Sequence, residues 1–152
     1  MEKLIISTGL KRYEVNDNGA IFSFNPNDAN LFARFLRMRE KIGQIGDSLK
    51  KERELLDLDK PEDFEKSAFV LEDADKQCKQ ALTECFGNSN DFDAIFDGAN
   101  AFSLTDTGEC VITNFIIAIT PVIEKETQAY AREKAKRQAA KAKQNKAKRA
   151  KK

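Results

Sequence analysis

Apolar and polar residues alternate over the first 24 positions of the chain, and from position 31 onward apolar residues recur every three or four positions. The alternating stretch is interrupted by the sequence Asn-Asp-Asn-Gly at 16–19. The apolar residues that flank this interruption are Tyr13, Val15, Ile21, Phe22 and Phe24. β-Branched and aromatic residues around a short loop ending in Gly are typical of a β-hairpin, and residues 4–7 are a candidate third strand. So small a ribbon is not stable alone in water, so we expect it to pack on the helices that follow.

A long amphipathic helix is predicted immediately after the hairpin. The apolar positions of its stripe are Leu31, Phe35, Met38, Ile42, Ile45 and Leu49. Asn25 and Pro26 are residue types favoured at a helix start, so we expect the helix to begin there and to reach the region of Leu55. The sequence Gly-Gln-Ile-Gly at 43–46 matches the glycine loop of KH domains, but the helical stripe continues through it, which favours helix.

Three further helices are expected along the rest of the chain. The second helix should begin near Pro61 and end at Phe86, with Gly87 as a left-handed terminal residue. A short helix should follow at 92–96, and the last helix should start at 105–107 with a kink at its internal proline. The residues expected to share the buried face of the second helix are Phe64, Ala68, Leu71, Cys78, Leu82 and Cys85.

The C-terminal end of the chain differs in composition from the rest. Beyond Glu126 the residues are mainly Ala, Lys, Arg and Gln, without an apolar stripe, so we expect the last helix to fray between residues 135 and 140. The prediction is an α+β, mainly α fold. Its N-terminal β-hairpin packs on three longer helices and one short helix, and a basic tail follows that is helical or disordered.

The near-zero net charge conceals two regions of opposite sign. The 152 residues include 26 Lys and Arg against 25 Asp and Glu, but residues 130–152 hold 11 of the cations and a single acid, Glu133. This tail therefore carries a charge of +10 and residues 1–129 carry −9. The sequence divides into an acidic domain at 1–129 and a basic tail at 130–152. A basic tail is a feature of proteins that bind nucleic acid or acidic partners, and the charges equally allow the tail to lie on its own acidic domain.

The chain contains no histidine, which removes the nucleophilic triads, the His-ligated metals and the usual neutral-pH proton shuttle. The three cysteines are expected to be reduced and buried. The loop at 88–93 lacks the Gly and the closing Glu of a calcium site, and the acids at 57–65 flank a helix start, where carboxylates are favoured. We therefore expect no catalytic residue, no cofactor and no metal. The longest apolar stretch, residues 111–123, is interrupted by polar residues and is too short to span a bilayer, so no membrane partner is expected either.

Two stretches of the chain resemble the small tail assembly chaperones of long-tailed bacteriophages and prophages. The first is Ile-Phe-Ser-Phe-Asn-Pro-Asn-Asp at 21–28, followed by Leu-Phe-Ala-Arg-Phe at 31–35; the second is Phe86-Gly87, its Asn/Asp-rich loop and Ile-Phe-Asp-Gly at 95–98. The resemblance extends over roughly residues 11–123. It implies a non-enzymatic protein of the host cytoplasm that binds the tape measure protein, recruits tail tube subunits and is absent from the mature virion. Whether the chain also associates with itself is left open by the sequence.

Two groups of residues are candidates for binding. The first helix has more apolar residues than one face requires, so a protein-binding edge is expected at Phe32, Phe35, Leu36 and Met38, with ordinary core as the alternative. The candidate cations of the tail are Lys141, Lys143, Lys146, Lys148, Arg149, Lys151 and Lys152. The alternative function is a small nucleic-acid-binding protein that acts through this tail, although no aromatic residue follows Tyr130 to stack on bases.

Overall fold

The computed structural model describes residues 1–150 and confirms the mainly helical α+β class. Its elements are β1 (Lys11–Glu14), β2 (Ile21–Phe24), α1 (Leu31–Glu54), α2 (Pro61–Phe86), α3 (Phe92–Ile95) and α4 (Val111–Ala150). The two strands form an antiparallel sheet of order β1-β2. Residues 1–10 have no regular structure, so the third strand expected at 4–7 is wrong.

The hairpin has the register that its turn dictates. Lys11 pairs with Phe24 and Glu14 pairs with Ile21. Inside the loop, the Asn16 side-chain oxygen accepts hydrogen bonds from the backbone N–H groups of Asn18 and Ala20, at 3.1 and 3.2 Å. This local acceptor closes the loop, and the pleat then places Tyr13, Phe22 and Phe24 on the helix-facing side, whereas Ile21 is exposed.

The first helix does not begin at Asn25, which corrects the expected start. Residues 25–30 form two successive turns, in which the Asn25 Oδ1 accepts from the Asn27 N–H at 2.9 Å and the Asp28 Oδ1 accepts from the Asn30 N–H at 2.9 Å. Asn and Asp side chains that bond their own backbone two residues on stabilise turns in preference to helix. Regular helix therefore starts only at Leu31, and it ends at Glu54 as expected.

The helices α1 and α2 pack side by side as a helical hairpin, and α2 has the predicted bounds. Gly87 ends α2 at φ +104° and ψ 159°, so a positive φ is required, but the residue is extended and not left-handed helical. The predicted buried face is wrong at its N-terminal end: Phe64 and Ala68 are exposed, and Ser67 is buried in that turn.

The segment between α3 and α4 is a tight loop, and the helix start expected at 105–107 is wrong. The Thr105 hydroxyl donates to the Glu109 carbonyl at 2.7 Å, and Gly108 has φ +85°. These contacts close a turn that an α-helix cannot accommodate. Helix begins at Val111, whose N–H donates to the Ser103 carbonyl at 3.0 Å.

The last helix is longer than expected. It runs through Pro121 and on to Ala150, so the fraying expected between residues 135 and 140 is wrong. Ala, Lys, Arg and Gln all have high helix propensity, and Glu133 pairs with Arg137 one turn later at 3.1 Å. The basic tail is therefore a continuation of the helix that packs in the core, and it is exposed throughout residues 131–150.

The core is built on phenylalanine rings. The ring of Phe22 contacts Phe86 and Phe115 edge to face, with centroids 4.9 and 5.3 Å apart. The rings of Phe92 and Phe96 complete the cluster, so β2, α2, α3 and α4 meet around one side chain. A smaller cluster of Ile45, Leu49 and Ala74 extends the core along α1 and α2.

A buried asparagine joins the sheet to the end of α2. Asn90 accepts a hydrogen bond from the Ser23 N–H at 2.8 Å, and its amide nitrogen donates to the Ser23 carbonyl at 2.9 Å. The same nitrogen donates to the Phe86 carbonyl at 3.2 Å. One side chain thereby satisfies the outer edge of β2 and a terminal carbonyl of α2, both of which are shielded from water.

Replacing Asn90 with Ala leaves these buried backbone groups without a partner. We expect the free energy of unfolding to fall by about 2–4 kcal/mol. Asn88→Ala is the matched control, because Asn88 is exposed in the same loop. Equal urea midpoints for the two variants would contradict the role assigned to Asn90.

Truncation tests whether the end of α4 belongs to the core. Removing residues 141–152 takes away no buried side chain among those described, so we expect the melting temperature to change by less than about 2 °C. Thermal unfolding followed by circular dichroism measures this. A loss of cooperative unfolding would show that the cations are docked on the acidic domain.

Candidate protein-binding surface

A groove lies between the start of α1 and the middle of α4. Its volume is about 460 Å³. The apolar parts of its walls come from Pro26, Ala29, Phe32, Tyr130, Ala131 and Ala135, with Asp28, Glu124 and Lys134 among its polar residues. We call this the α1–α4 groove. An apolar floor with charged residues at its margin is the usual character of a surface that binds a partner helix.

The turns before α1 fix the position of this groove. The Arg34 Nη2 donates to the Asp28 Oδ2 at 2.7 Å, and the Arg34 Nε donates to the Cys85 carbonyl at 3.2 Å. One guanidinium therefore connects the turn, the first helix and the end of α2. The Arg34 guanidinium, together with the Asn30 N–H, holds the pKa of the Asp28 carboxyl below its ordinary value of 3.8.

The structure divides the four apolar residues proposed as a binding edge. Phe35 and Met38 are buried in the core, which corrects their expected role as surface residues. The ring centroids of Phe35 and Phe86 are 6.3 Å apart, and the Arg39 guanidinium carbon lies over the Phe35 ring, 5.7 Å from its centroid. Phe32 and Leu36 are exposed one helical turn apart, and Phe32 lines the groove. Of the four residues predicted to form the binding edge, only these two are accessible to a partner.

The opposite wall of the groove was missed by sequence reasoning. Tyr130, Ala131 and Ala135 line the groove, and they belong to the segment that its composition assigned to the basic tail. The sequence did contain one indication of this wall, since Tyr130 is an isolated aromatic residue at the boundary of the Ala- and Lys-rich segment. Its partner across the groove depends on the path of α4, which periodicity does not reveal.

The basic end of α4 forms a separate charged surface. Lys141, Lys143, Lys146, Lys148 and Arg149 are all exposed on the helix, whereas the predicted Lys151 and Lys152 lie outside the described residues. The helix from residue 131 to 150 extends about 30 Å at 1.5 Å per residue. This row of cations carries no aromatic side chain, so it can attract phosphates or carboxylates without selecting between them.

The cysteines are not arranged for nucleophilic chemistry. Burial raises the pKa of the Cys78 thiol to about 12 and that of the Cys85 thiol to about 11. Both thiols therefore stay protonated at neutral pH, and a protonated thiol is a poor nucleophile. Cys110 is half-buried, and its sulfur lies 3.1 Å from the Thr113 hydroxyl.

The most buried ammonium group of an ion pair, that of Lys79, connects elements of the fold. The Lys79 Nζ lies 2.9 Å from the Asp75 Oδ2, 2.7 Å from the Asp93 Oδ1 and 3.2 Å from the Ala99 carbonyl. The Asp75 Oδ1 accepts the Ala101 N–H at 2.7 Å. Because these contacts occupy the ammonium group and the adjacent carboxylates, the cluster holds α2, α3 and the following loop together.

Two further observations concern the whole described chain. Within residues 1–150, no three Cys, Asp or Glu side chains converge on a position that could hold a metal ion. Across the same residues, no helix has both the length and the apolar character that a bilayer crossing requires.

Comparison of this chain with models of protein families, with curated proteins and with solved structures finds no match.

The Asp28–Arg34 pair makes a pH-dependent prediction. Since the pKa of Asp28 is lowered by folding, its contribution to stability is present above pH 3.8 and is lost as the pH falls through the folded-state value. We therefore expect Asp28→Asn to be less stable than the wild type at pH 7. The difference should close in increasingly acidic buffer. Asp47→Asn, at an exposed position of α1, is the control. If the difference in stability between Asp28→Asn and the wild type stays constant with pH, the Asp28–Arg34 pair does not have this role.

Proposed function

We propose that this protein is a non-enzymatic phage tail assembly chaperone that holds an apolar helical segment of the tape measure protein in the α1–α4 groove. The observation that carries the proposal is the pair of aromatic residues, Phe32 and Tyr130, on facing walls of that groove. The resemblance of residues 21–35 and 86–98 to this chaperone family supplies the partner. Recruitment of tail tube subunits, residence in the host cytoplasm and absence from the mature virion belong to the same proposal.

The physical basis is helix-in-groove recognition. A partner helix presents apolar residues three and four positions apart. The groove offers Phe32, and the exposed Leu36 lies one turn further along α1, next to the groove lining and not part of it. Burying such a side chain contributes about 1.5–3 kcal/mol, most of which is independent of salt. A tape measure chain with long apolar helices gains this shielding until the tail tube encloses it.

A second candidate function is binding of nucleic acid by the basic end of α4. The observation that favours it is the exposed row of cations between residues 141 and 149. Contacts with phosphates release counterions, so this function requires binding that weakens steeply between about 50 and 200 mM salt. The acidic residues of the domain repel a nucleic acid and restrict such contact to the helix end.

The test of the chaperone function uses a matched pair of leucines. Leu36 in the proposed surface and Leu58 between α1 and α2 are each 47% exposed. Co-expression with an otherwise insoluble tape measure protein should keep that protein in solution, and the complex should survive high salt. We expect Phe32→Glu, in the groove lining, and Leu36→Glu, one turn beyond it, to abolish the effect, since a carboxylate covered by the partner helix must lose its hydration. Leu58→Glu should retain the effect.

Several outcomes of this experiment would count against the chaperone function. If Phe32→Glu and Leu36→Glu solubilise the tape measure protein as well as Leu58→Glu does, the groove is not its binding surface. If the wild type fails to do so but binds any DNA duplex, and removal of residues 141–152 abolishes that binding, the nucleic-acid function replaces the proposal. Melting curves recorded on each variant separate lost binding from lost folding.

A further inference from the structure

The outer edge of β1 is unpaired. Val15 donates to the Ala20 carbonyl at 3.0 Å, so by the alternation of an antiparallel ladder the residues at 11, 13 and 15 direct their backbone groups toward β2. Arg12 and Glu14 consequently direct theirs outward, and no group within residues 1–150 bonds to them. The outer edge of β2 is different, because Asn90 occupies both backbone groups of Ser23. The sheet therefore has one closed edge and one open edge.

An apolar groove runs directly beside the open edge. It lies between β1 and the first half of α4 and has a volume of about 550 Å³. Tyr13 and Val15 form one wall, and Ala118, Ile119 and Val122 form the other. We call this the β1–α4 groove. A strand added to β1 would place every second side chain in this groove, because successive side chains point to opposite faces of a sheet.

The chain carries a segment with the matching chemistry. Residues 1–7, here called the N-terminal arm, have no regular structure and include three consecutive apolar residues, Leu4, Ile5 and Ile6. Leu4 and Ile5 are each 88% exposed, and Ile6 is 74% exposed. Contiguous exposed apolar residues of this kind mark a contact surface, and their bulky, partly β-branched side chains suit a strand.

The arm does not pair with the open edge of its own copy. The Asn25 Nδ2 donates to the Thr8 carbonyl at 2.7 Å, and Gly9 packs so closely on the Asn27 side chain that there is no room for a Cβ. These contacts fasten the base of the arm beside the residues that follow β2. Within residues 1–150, no hydrogen bond joins residues 1–7 to the outward backbone groups of Arg12 and Glu14, so the arm is available to the edge of another molecule.

We propose that the N-terminal arm of one copy adds as a strand to the outer edge of β1 in a second copy. Leu4 and Ile6 then enter the β1–α4 groove of that copy, and the arm backbone pairs with the outward N–H and C=O groups of Arg12 and Glu14. Each copy has both an arm and an open edge, and the proposed exchange is reciprocal, which closes the assembly into a two-fold dimer.

The experiment compares variants of the full-length chain by sedimentation over a series of concentrations. Leu4→Asp disables the arm, and Leu55→Asp is the matched control, because Leu55 is 86% exposed against 88% for Leu4. Glu14→Pro removes an outward N–H and disables the edge without removing a bond of the hairpin ladder. We expect Leu4→Asp and Glu14→Pro to raise the dimer dissociation constant at least about tenfold, while Leu55→Asp leaves it unchanged.

A mixture of the two disabled variants provides the sharpest measurement. Leu4→Asp copies retain an intact edge and Glu14→Pro copies retain an intact arm, so mixing them should restore one exchange per pair. A fluorescent label on one variant should then report heterodimers at concentrations where each variant alone is monomeric.

Three results would overturn the proposal. The first is a wild type that stays monomeric at every concentration, and the second is a dimer that Leu4→Asp leaves intact. The third is a dimer weakened by Glu14→Pro but not by Leu4→Asp, which would mean that two β1 edges pair directly. If circular dichroism shows that Glu14→Pro is unfolded, Arg12→Pro takes its place. The comparison of Leu4→Asp with Leu55→Asp decides the question in either case.

Discussion

The packing of aromatic rings around Phe22 is the contact on which the rest of the structure depends. The side chain is fully buried, and the rings of Phe86 and Phe115 meet it edge to face at 4.9 and 5.3 Å. Aromatic pairs in this geometry contribute about 0.5–1.5 kcal/mol each beyond the area they bury. A two-stranded hairpin is marginal in water, so β1 and β2 persist because this ring fastens them to three helices. The position of the hairpin in turn fixes the turns at 25–30, the start of α1 and one wall of the α1–α4 groove.

The helix α4 serves two purposes because its character changes along its length. Its first part buries Ile112, Ile119 and Ile123, whereas residues 131–150 are exposed. A continuous helix transmits the orientation set in the core to the segment that leaves it. Tyr130 therefore lines the α1–α4 groove together with Phe32, and the cations beyond it surround the exposed part of the helix. The opposite charges of the domain and the helix end are kept apart by this geometry instead of collapsing on each other.

The β1–α4 groove lies beside the first half of α4 and the α1–α4 groove beside its middle, and the two grooves suit partners of different secondary structure. The α1–α4 groove is lined by side chains of α1, of α4 and of the turns at 25–30, so it suits a partner held mainly by burial of apolar side chains. The β1–α4 groove borders a strand edge, so backbone hydrogen bonds can add to apolar burial and select an extended segment. An arm exchanged between copies and a tape measure helix would thus occupy separate surfaces. Assembly of a dimer would leave the proposed chaperone surface accessible.

Much of the fold was determined by the sequence itself, since local chemistry sets it. The loop at 16–19 specifies the hairpin, Pro61 and Gly87 bound α2, and the apolar repeat specifies α1. Local reasoning was wrong where side chains compete for the same backbone groups. Asn25 and Thr105 are good helix caps by type, but each closes a turn, and regular helix starts six residues later in both cases.

The candidate site was decided by tertiary structure. Periodicity identified an apolar stripe wider than one face, but only the packing of α2 and β2 determined that Phe35 would be covered and Phe32 would not. The placement of Tyr130 opposite Phe32 depends on nearly a hundred residues of intervening chain and on the direction in which α4 leaves the core. Burial and long-range apposition are properties of the assembled elements. Periodicity therefore supplied the α1 side of the surface, and only the fold decided which of those residues stay exposed and that Tyr130 lies across from them.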